Sequence, residues 1–544
     1  MFSGYSFSEI SIALVVLVLA YFIVPYLLDP YDYRRRFSGP WLAGLTNSWL
    51  SRVNNTGERS YVIHALHEKY GKFVRIGPDH ISIADPDALE AVYGHGNGLL
   101  KSNFYRGFEI AGPDMFTTQD KVDHSGEWLT RRRRVAHVFS PQSVASFEPR
   151  VRRHIRRLCQ QWDKRCDAPA RGDSGVNWDE KNGRAILNSA DQFSYLLYDT
   201  IGDLALGTPF GMVEAQKDVA PIAQSFAADQ FKALGTVDLP VMQVLSLTEQ
   251  WFVTIAPYPA WVQDILKVMP WNIKNKIAQY NLFGVALAAA SKRIRLGPQI
   301  NDGEESFSDG KASADIIGKL MGVQDEDGMP LSNEVIMGEA TLMLVAGSHT
   351  TSNALSATFY YFAKHRRVQQ RLQEELDANL PRFSDGGDIV TEMEQVKNLP
   401  YLEACINESF RLHPPIGQGL SRVVPPGKAV VIAGEVFQPG SVVSVPIYTT
   451  NRSNLFGPDA NEFRPERWLE DEAGAMGKYN VPFSLGSRAC IGRNVAMMNL
   501  LLALSTIFRR YDVELANPTD EIHTHEAFIH KVSSCRVAIK YRQI

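Results

Sequence analysis

Phe483-Ser-Leu-Gly-Ser-Arg-Ala-Cys-Ile-Gly492 is the stretch that decides how this chain is read. Gly486 and Gly492 flank one cysteine, Cys490, and let the backbone come close to something flat. The segment after it, Arg493 to Arg509, has the pattern of a long helix. A cysteine at a helix N-terminus is expected to have a lowered pKa, because the amide dipoles favour thiolate. Arg488 brings a positive charge two residues away. A thiolate with small neighbours and a nearby guanidinium suits axial ligation of haem iron, with the arginine reaching a propionate. Taken alone, a lone cysteine is more often a buried core residue.

The rest of the chain narrows the choice. Its 544 residues are 45% hydrophobic and 21% charged, a globular balance. With 56 Lys+Arg against 60 Asp+Glu the net charge is −4, which argues against nucleic-acid binding by bulk charge. Five cysteines, at 159, 166, 405, 490 and 535, form no CxxC pair; they make neither a disulfide framework nor a zinc ribbon. The pattern suits a reducing compartment.

Residues 10–28, ISIALVVLVLAYFIVPYLL, carry no charge, and a bilayer-spanning helix needs about 20 apolar residues. Arg34, Arg35 and Arg36 follow, so the positive-inside rule places the body in the cytosol. A cleaved signal would want a basic start and a small-residue cleavage site, and neither is clear. The expected division is a short lumenal N-terminus (1–9), a transmembrane anchor (10–28), a basic, proline-containing hinge (29–45) with Gly39-Pro40, and a body (46–544). Asn54-Asn55-Thr56 matches a glycosylation sequon that a cytosolic body would never expose to the glycosylation machinery.

The body shows no repeat or low-complexity tract. Its most loop-like interruptions are 167–182 and 299–310. Residues 332–365 read as one helix of roughly 50 Å, apolar almost all round and so central. Strand-like pieces are short: 73–76, 80–83, 429–432 and 442–445. The expectation is a mainly α (α+β) body with small peripheral sheets.

The ten residues from Phe483 to Gly492 match the haem-thiolate signature F-x-x-G-x-R-x-C-x-G at every fixed position, and so resemble the cytochrome P450 family. Other landmarks of that family follow in order. Glu408-Ser-Phe-Arg411 resembles its E-x-x-R, two residues that share a helix face. Phe463-Arg-Pro-Glu-Arg467-Trp468 resembles the segment whose arginine completes a buried triad behind the haem. Trp128-Leu-Thr-Arg-Arg132 resembles its W-x-x-x-R, whose Trp and Arg hold a haem propionate. Residues 131–134 are all Arg, which also reads as a solvated face, a lipid contact or a reductase-docking patch. Arg422 resembles the further arginine that reaches a propionate.

Ala346-Gly347-Ser-His349-Thr350-Thr351 is similar to the family's A-G-x-[D/E]-T-[T/S] box. There the small residues form a groove for oxygen, the threonine hydrogen-bonds it, and the acid helps deliver protons. Gly and Thr are poor helix formers, so a local bulge at 347–350 is expected. His349 replaces the acid. An imidazole can shuttle protons near neutral pH; it can also point away, or the proton path can be lost.

The resemblance runs from about Pro40 to the C-terminus. It implies the P450 fold, one haem b on Cys490, electrons from NADPH through a P450 reductase, and an endoplasmic-reticulum anchor. The implied reaction inserts one oxygen atom from O2 into an apolar substrate. An isomerase, dehydratase or desaturase acting on a natural-product intermediate is the alternative, and His349 keeps it open. The likeness is to fungal P450s, among them the benzoate 4-monooxygenase-like group and secondary-metabolism members. Substrate contacts are expected at Phe104, Phe108, Met115, Phe116, Ile416, Gln418, Ala527 and Phe528. These are mostly apolar, and a small aromatic acid should want an arginine or polar pair, which favours a larger neutral natural product.

Overall fold

The computed structural model describes residues 7–110, 114–119, 127–167, 175, 177–227, 232–295, 315–324, 328–381, 388–470 and 473–543. The central helix is Asn333–Lys364. Ser332 caps it by accepting from the Val335 amide, a contact worth about 1 kcal/mol. Glu334 in its first turn and Lys364 in its last complement the helix dipole. Its interior carries many hydroxyls in a buried setting. They are satisfied locally: Thr341 donates to Met337 O (2.8 Å), Ser356 to Ser352 O (2.8 Å) and Thr358 to Ala354 O (2.8 Å). Side chains that bond the preceding turn can enter a packed core without leaving a polar atom orphaned.

The helix runs unbroken through 347–350, so the expected bulge is absent. Thr350 Oγ1 donates to Ala346 O (2.7 Å) and Ser348 Oγ to Leu344 O (2.6 Å), which offsets the low helix propensity of this stretch. Gly347 lies against the helix Ser189–Leu206: a Cβ there would stand 3.0 Å from Ile201 Cδ1. The core around these two helices also takes in Pro400–Leu412 and Arg493–Arg510.

Two larger sheets flank this helical core. One runs in the order Phe73–Arg75, His80–Ile83, Val442–Ser444, Arg422–Val423, Leu100–Lys101. All its neighbours are antiparallel except Val442–Ser444, which runs parallel to His80–Ile83. Lys101 pairs with Arg422 across it. The other runs Tyr511–Leu515, Arg536–Tyr541, Arg184–Asn188, Trp178–Lys181. The expected strands are present within a residue or so. The hairpin Ala220–Ala227/Lys232–Leu239 was not expected in the helical middle of the chain. Of the two expected interruptions, 299–310 lies outside the described residues, as do 168–174 and 176 of the first.

A helix, Phe7–Leu28, occupies the predicted anchor, with Pro25 inside it. Among the described residues no helix is long and apolar enough to cross a membrane. Asn54 of the sequon is buried and donates to Val253 O, so its amide is closed to modification in the folded chain.

Candidate active site

A cavity of about 350 Å³ opens between the Cys490 loop and the central helix. The loop is folded back on itself: Cys490 N donates to Phe483 O (2.8 Å). Gly486 turns it at φ +68°, where a Cβ would stand 2.3 Å from Tyr93 O. That position excludes any side chain on both backbone and steric grounds. The Phe483 ring packs edge-on to Phe410 at 5.4 Å. Gly492 caps the helix Arg493–Arg510, and a Cβ on it would come within 3.9 Å of Cys490 Sγ.

Cys490 opens onto the cavity inside the molecule, accessible there yet shielded by the surrounding protein from bulk solvent. Cys159, Cys405 and Cys535 are buried in the core. The expectation of a lowered Cys490 pKa is corrected here. Burial pushes the thiol up, opposed by the amides of Gly492 and Arg493 and by the charges of Arg132 and Arg493. The helix-end effect exists, but desolvation outweighs it.

Four cations line the same cavity: Lys101, Arg132, Arg422 and Arg488. Each is held by the protein. Arg132 Nη2 donates to Ala489 O (2.9 Å) and Arg488 Nη1 to Leu99 O (3.0 Å). Arg422, buried, donates to the Tyr105 hydroxyl. Lys101 Nζ donates to the carbonyls of Met115, Phe116 and Thr118 at 3.0, 3.0 and 3.1 Å. Trp128 sits between two of them, with Arg488 at 5.3 Å and Lys101 at 5.5 Å from its ring. The sheet register that pairs Lys101 with Arg422 brings the lysine here, and no local motif marks it. In the arginine run, Arg131 reaches Glu339 of the central helix at 3.7 Å while Arg132 turns to the cavity.

Ala346, Gly347 and Thr350 line the cavity from the central helix. His349 does not. It is buried, and its Nδ1 lies 3.1 Å from Oε1 of Glu249. Glu249 comes from the helix Val241–Ile255 and lines the cavity. Sequence reading missed it.

The far end of the cavity is aromatic. Phe108, Phe116, Phe252 and Phe528 line it, and the Phe108 ring lies 4.8–5.7 Å from the other three. Met115, Ile416 and Gln418 also line it, as expected. Phe104 and Ala527 do not. Phe104 packs 5.1 Å from Phe108, and Ala527 is buried in the same cluster. They support the wall without forming its surface.

Behind the cysteine loop, Glu408, Arg411 and Arg467 are fully buried. Arg411 grips Glu408 through Nε and Nη2 (2.9 and 2.8 Å), and Arg467 Nε donates to Glu408 Oε1 (3.0 Å). The expected triad is therefore assembled.

A flat iron macrocycle with two carboxylates fits these residues. The thiol faces the cavity from one side and a small-residue face of the helix bounds the other. The cationic rim matches two acid groups.

The comparisons agree with this geometry. The family model for Cytochrome P450 matches residues 40–534. Benzoate 4-monooxygenase bphA of Aspergillus niger is 36% identical over 541 residues, 97% of this chain and 96% of that protein. Cytochrome P450 monooxygenase gsfF of Penicillium aethiopicum is 28% identical over 96% of both chains. Tryprostatin B 6-hydroxylase of Aspergillus fumigatus is 28% identical over 94% of this chain and 82% of its own. A thiol-bearing loop, a cationic rim and an oxygen-box helix on one cavity, with this match from Pro40 almost to the C-terminus, establish that the chain belongs to the cytochrome P450 family of monooxygenases.

Proposed function

We propose that this enzyme oxidises a neutral, largely apolar small molecule of the kind made in fungal secondary metabolism. One oxygen atom of O2 enters the substrate. The other leaves as water, with two electrons from NADPH delivered by a P450 reductase and two protons. Haem b held by Cys490 would supply the oxygen activation, for which a thiolate ligand is suited. Arg132, Arg422, Arg488 and Trp128 hold the propionates, with Lys101 beside them. Phe483 and Gly486 set the loop, and Thr350, beside Ala346 and Gly347 on the cavity wall, would be the hydroxyl available to oxygen there.

One observation carries the substrate class. The cavity ends in a phenylalanine wall, and the lysine and three arginines that line it are the group assigned to the two haem propionates. A free substrate carboxylate would lose its water with no cation of its own to meet it. The 36% identical benzoate 4-monooxygenase makes benzoate the ligand to test against. Titration of the haem spectrum should give binding of benzoate weaker than that of methyl benzoate by roughly tenfold or more. Failure of both to bind also rejects a benzoate-type enzyme. Tighter binding of benzoate than of its ester overturns the neutral-substrate reading.

Deleting the gene in its producer names the substrate. The lost product should exceed the accumulated precursor by one oxygen atom. An isomeric pair, or a pair differing by water or two hydrogens, favours the isomerase, dehydratase or desaturase alternative.

We further propose a single-pass endoplasmic-reticulum anchor at 10–28 with the body in the cytosol. Three arginines follow the apolar stretch. The exposed apolar residues Trp261, Ile265 and Val268 lie on the helix that meets the Phe7–Leu28 helix through Tyr21 and Trp261, at 5.8 Å. Carbonate-resistant membrane association of the full chain, lost on removing residues 1–28, is the expected result.

A further inference from the structure

The central helix carries His349 where its family box has an acid, and the nearest carboxylate is contributed by another helix. Glu249 stands across the cavity on Val241–Ile255, with Oε1 at 3.1 Å from His349 Nδ1. Both side chains are more than nine-tenths buried. Glu249 also borders the cavity alongside Leu245, Phe252, Gly347 and Thr350. The second imidazole nitrogen, Nε2, is buried with no hydrogen-bond partner among the described residues.

We propose that Glu249 is the acid of this oxygen box, displaced from the central helix to the facing one, with His349 as the residue that positions it. The inference rests on the monooxygenase reading. The pair has what a relay needs: an acid on the cavity wall, an imidazole holding it, and, next in sequence, Thr350, which lines the same cavity with its hydroxyl bonded to Ala346 O. Proton transfer by a positioned side chain typically contributes 10²–10⁴-fold. A purely structural pin between two helices would be served more cheaply by apolar contact, since two buried polar groups must first lose their water.

Other groups face the pair. The Tyr198 ring stands edge-on to the imidazole at 5.7 Å. Asp218, from the segment before the Ala220–Ala227 strand, lies within electrostatic reach of Lys531 and His349. Neither of these groups is hydrogen-bonded to the His349 imidazole, whose partner among the described residues is Glu249.

The balance of the step is that of the enzyme. Two electrons from NADPH and two protons accompany one oxygen atom into water while the other enters the substrate. When the protons are not directed to the oxygen atom that leaves as water, O2 leaves as hydrogen peroxide, taking the same two electrons and the same two protons. The test uses full-length, haem-loaded protein with NADPH, reductase and O2, and needs no identified substrate. The fraction of NADPH electrons recovered as peroxide is measured, together with the C–O stretch of the reduced, CO-bound protein. CO is the probe of the field in the cavity.

Glu249→Gln is isosteric and can still hydrogen-bond the imidazole, so haem content and the thiolate-type CO spectrum should persist. Its peroxide fraction should rise several-fold, and its C–O band should shift. His349→Asp restores an acid to the helix. The double variant Glu249→Gln/His349→Asp should return the peroxide fraction toward the wild-type value, which no structural pin predicts. Unchanged peroxide and an unchanged C–O band in Glu249→Gln overturn the inference and leave the monooxygenase intact. Wild-type protein whose reduced, CO-bound form lacks the thiolate-type spectrum overturns the oxygen-activating reading itself.

Discussion

Cys490→Ser is expected to leave a folded protein whose reduced, CO-bound form has lost the thiolate-type spectrum and whose monooxygenase activity has fallen to background. The substitution changes one atom and little volume. The loop is set by other contacts: the Cys490 amide on Phe483 O, the positive φ of Gly486 against Tyr93, and Phe483 against Phe410. The fold therefore has little reason to change, and the loss falls on ligation. The raised pKa of the thiol is no obstacle to this role, because a coordinating metal deprotonates a thiol outright. Serine cannot follow, since its hydroxyl holds its proton far more tightly. Cys490→His tests the same point with a neutral nitrogen donor and should also lose both signals. Retention of spectrum and activity in either variant would remove Cys490 from the assignment. The four other cysteines offer no substitute, being absent from the cavity lining.

Local patterns were legible in the sequence because their physics is local. Phe483 to Gly492 is one loop, and its Gly486 answers to a contact with Tyr93 O that a side chain would violate. Glu408 and Arg411 are a single helical turn apart. The central helix announced its length and burial through composition alone. Elements whose partners lie far along the chain were not legible. Lys101 reaches the cavity because a strand register pairs it with Arg422. Glu249 meets His349 across a separation of 100 residues, and no spacing rule connects them.

The corrected expectations have the same origin. The helix-end effect on Cys490 is a local rule, and burial by the rest of the molecule reversed it. The low helix propensity at 347–350 is also local, and hydroxyl bonds to the preceding turn together with packing on Ile201 overrode it. Small residues in that box were rightly noticed, but the space saved at Gly347 is taken by Ile201. Phe104 and Ala527 fall in the right region of sequence, one layer behind the surface they were expected to form.

Arg411→Ala carries the second large expected effect. Glu408 receives two bonds from Arg411, one from Arg467, one from the Trp468 indole (3.0 Å) and one from the Arg464 amide (2.9 Å). Arg411 also donates to the carbonyls of Asn451 (2.8 Å), Ala460 and Glu462 (3.1 Å). Removing its guanidinium leaves the buried Glu408 short of two donors and three carbonyls short of one each. Breaking one partner of a buried ionic pair costs about 3–5 kcal/mol, a large part of a domain's stability. The damage has a direct path to the cysteine loop. The helix Pro400–Leu412 carries Phe410 onto Phe483, and Asn407 O accepts from Asn480 (3.1 Å) just before that loop. The expected result is little haem-loaded protein and a markedly lowered unfolding temperature in what is recovered. Arg411→Lys keeps the charge but not the planar fork that meets both carboxylate oxygens, so it should fall between alanine and wild type. The haem-to-protein ratio from the reduced, CO-bound spectrum reads this directly. Normal haem content in Arg411→Ala would show that the triad does not hold the loop.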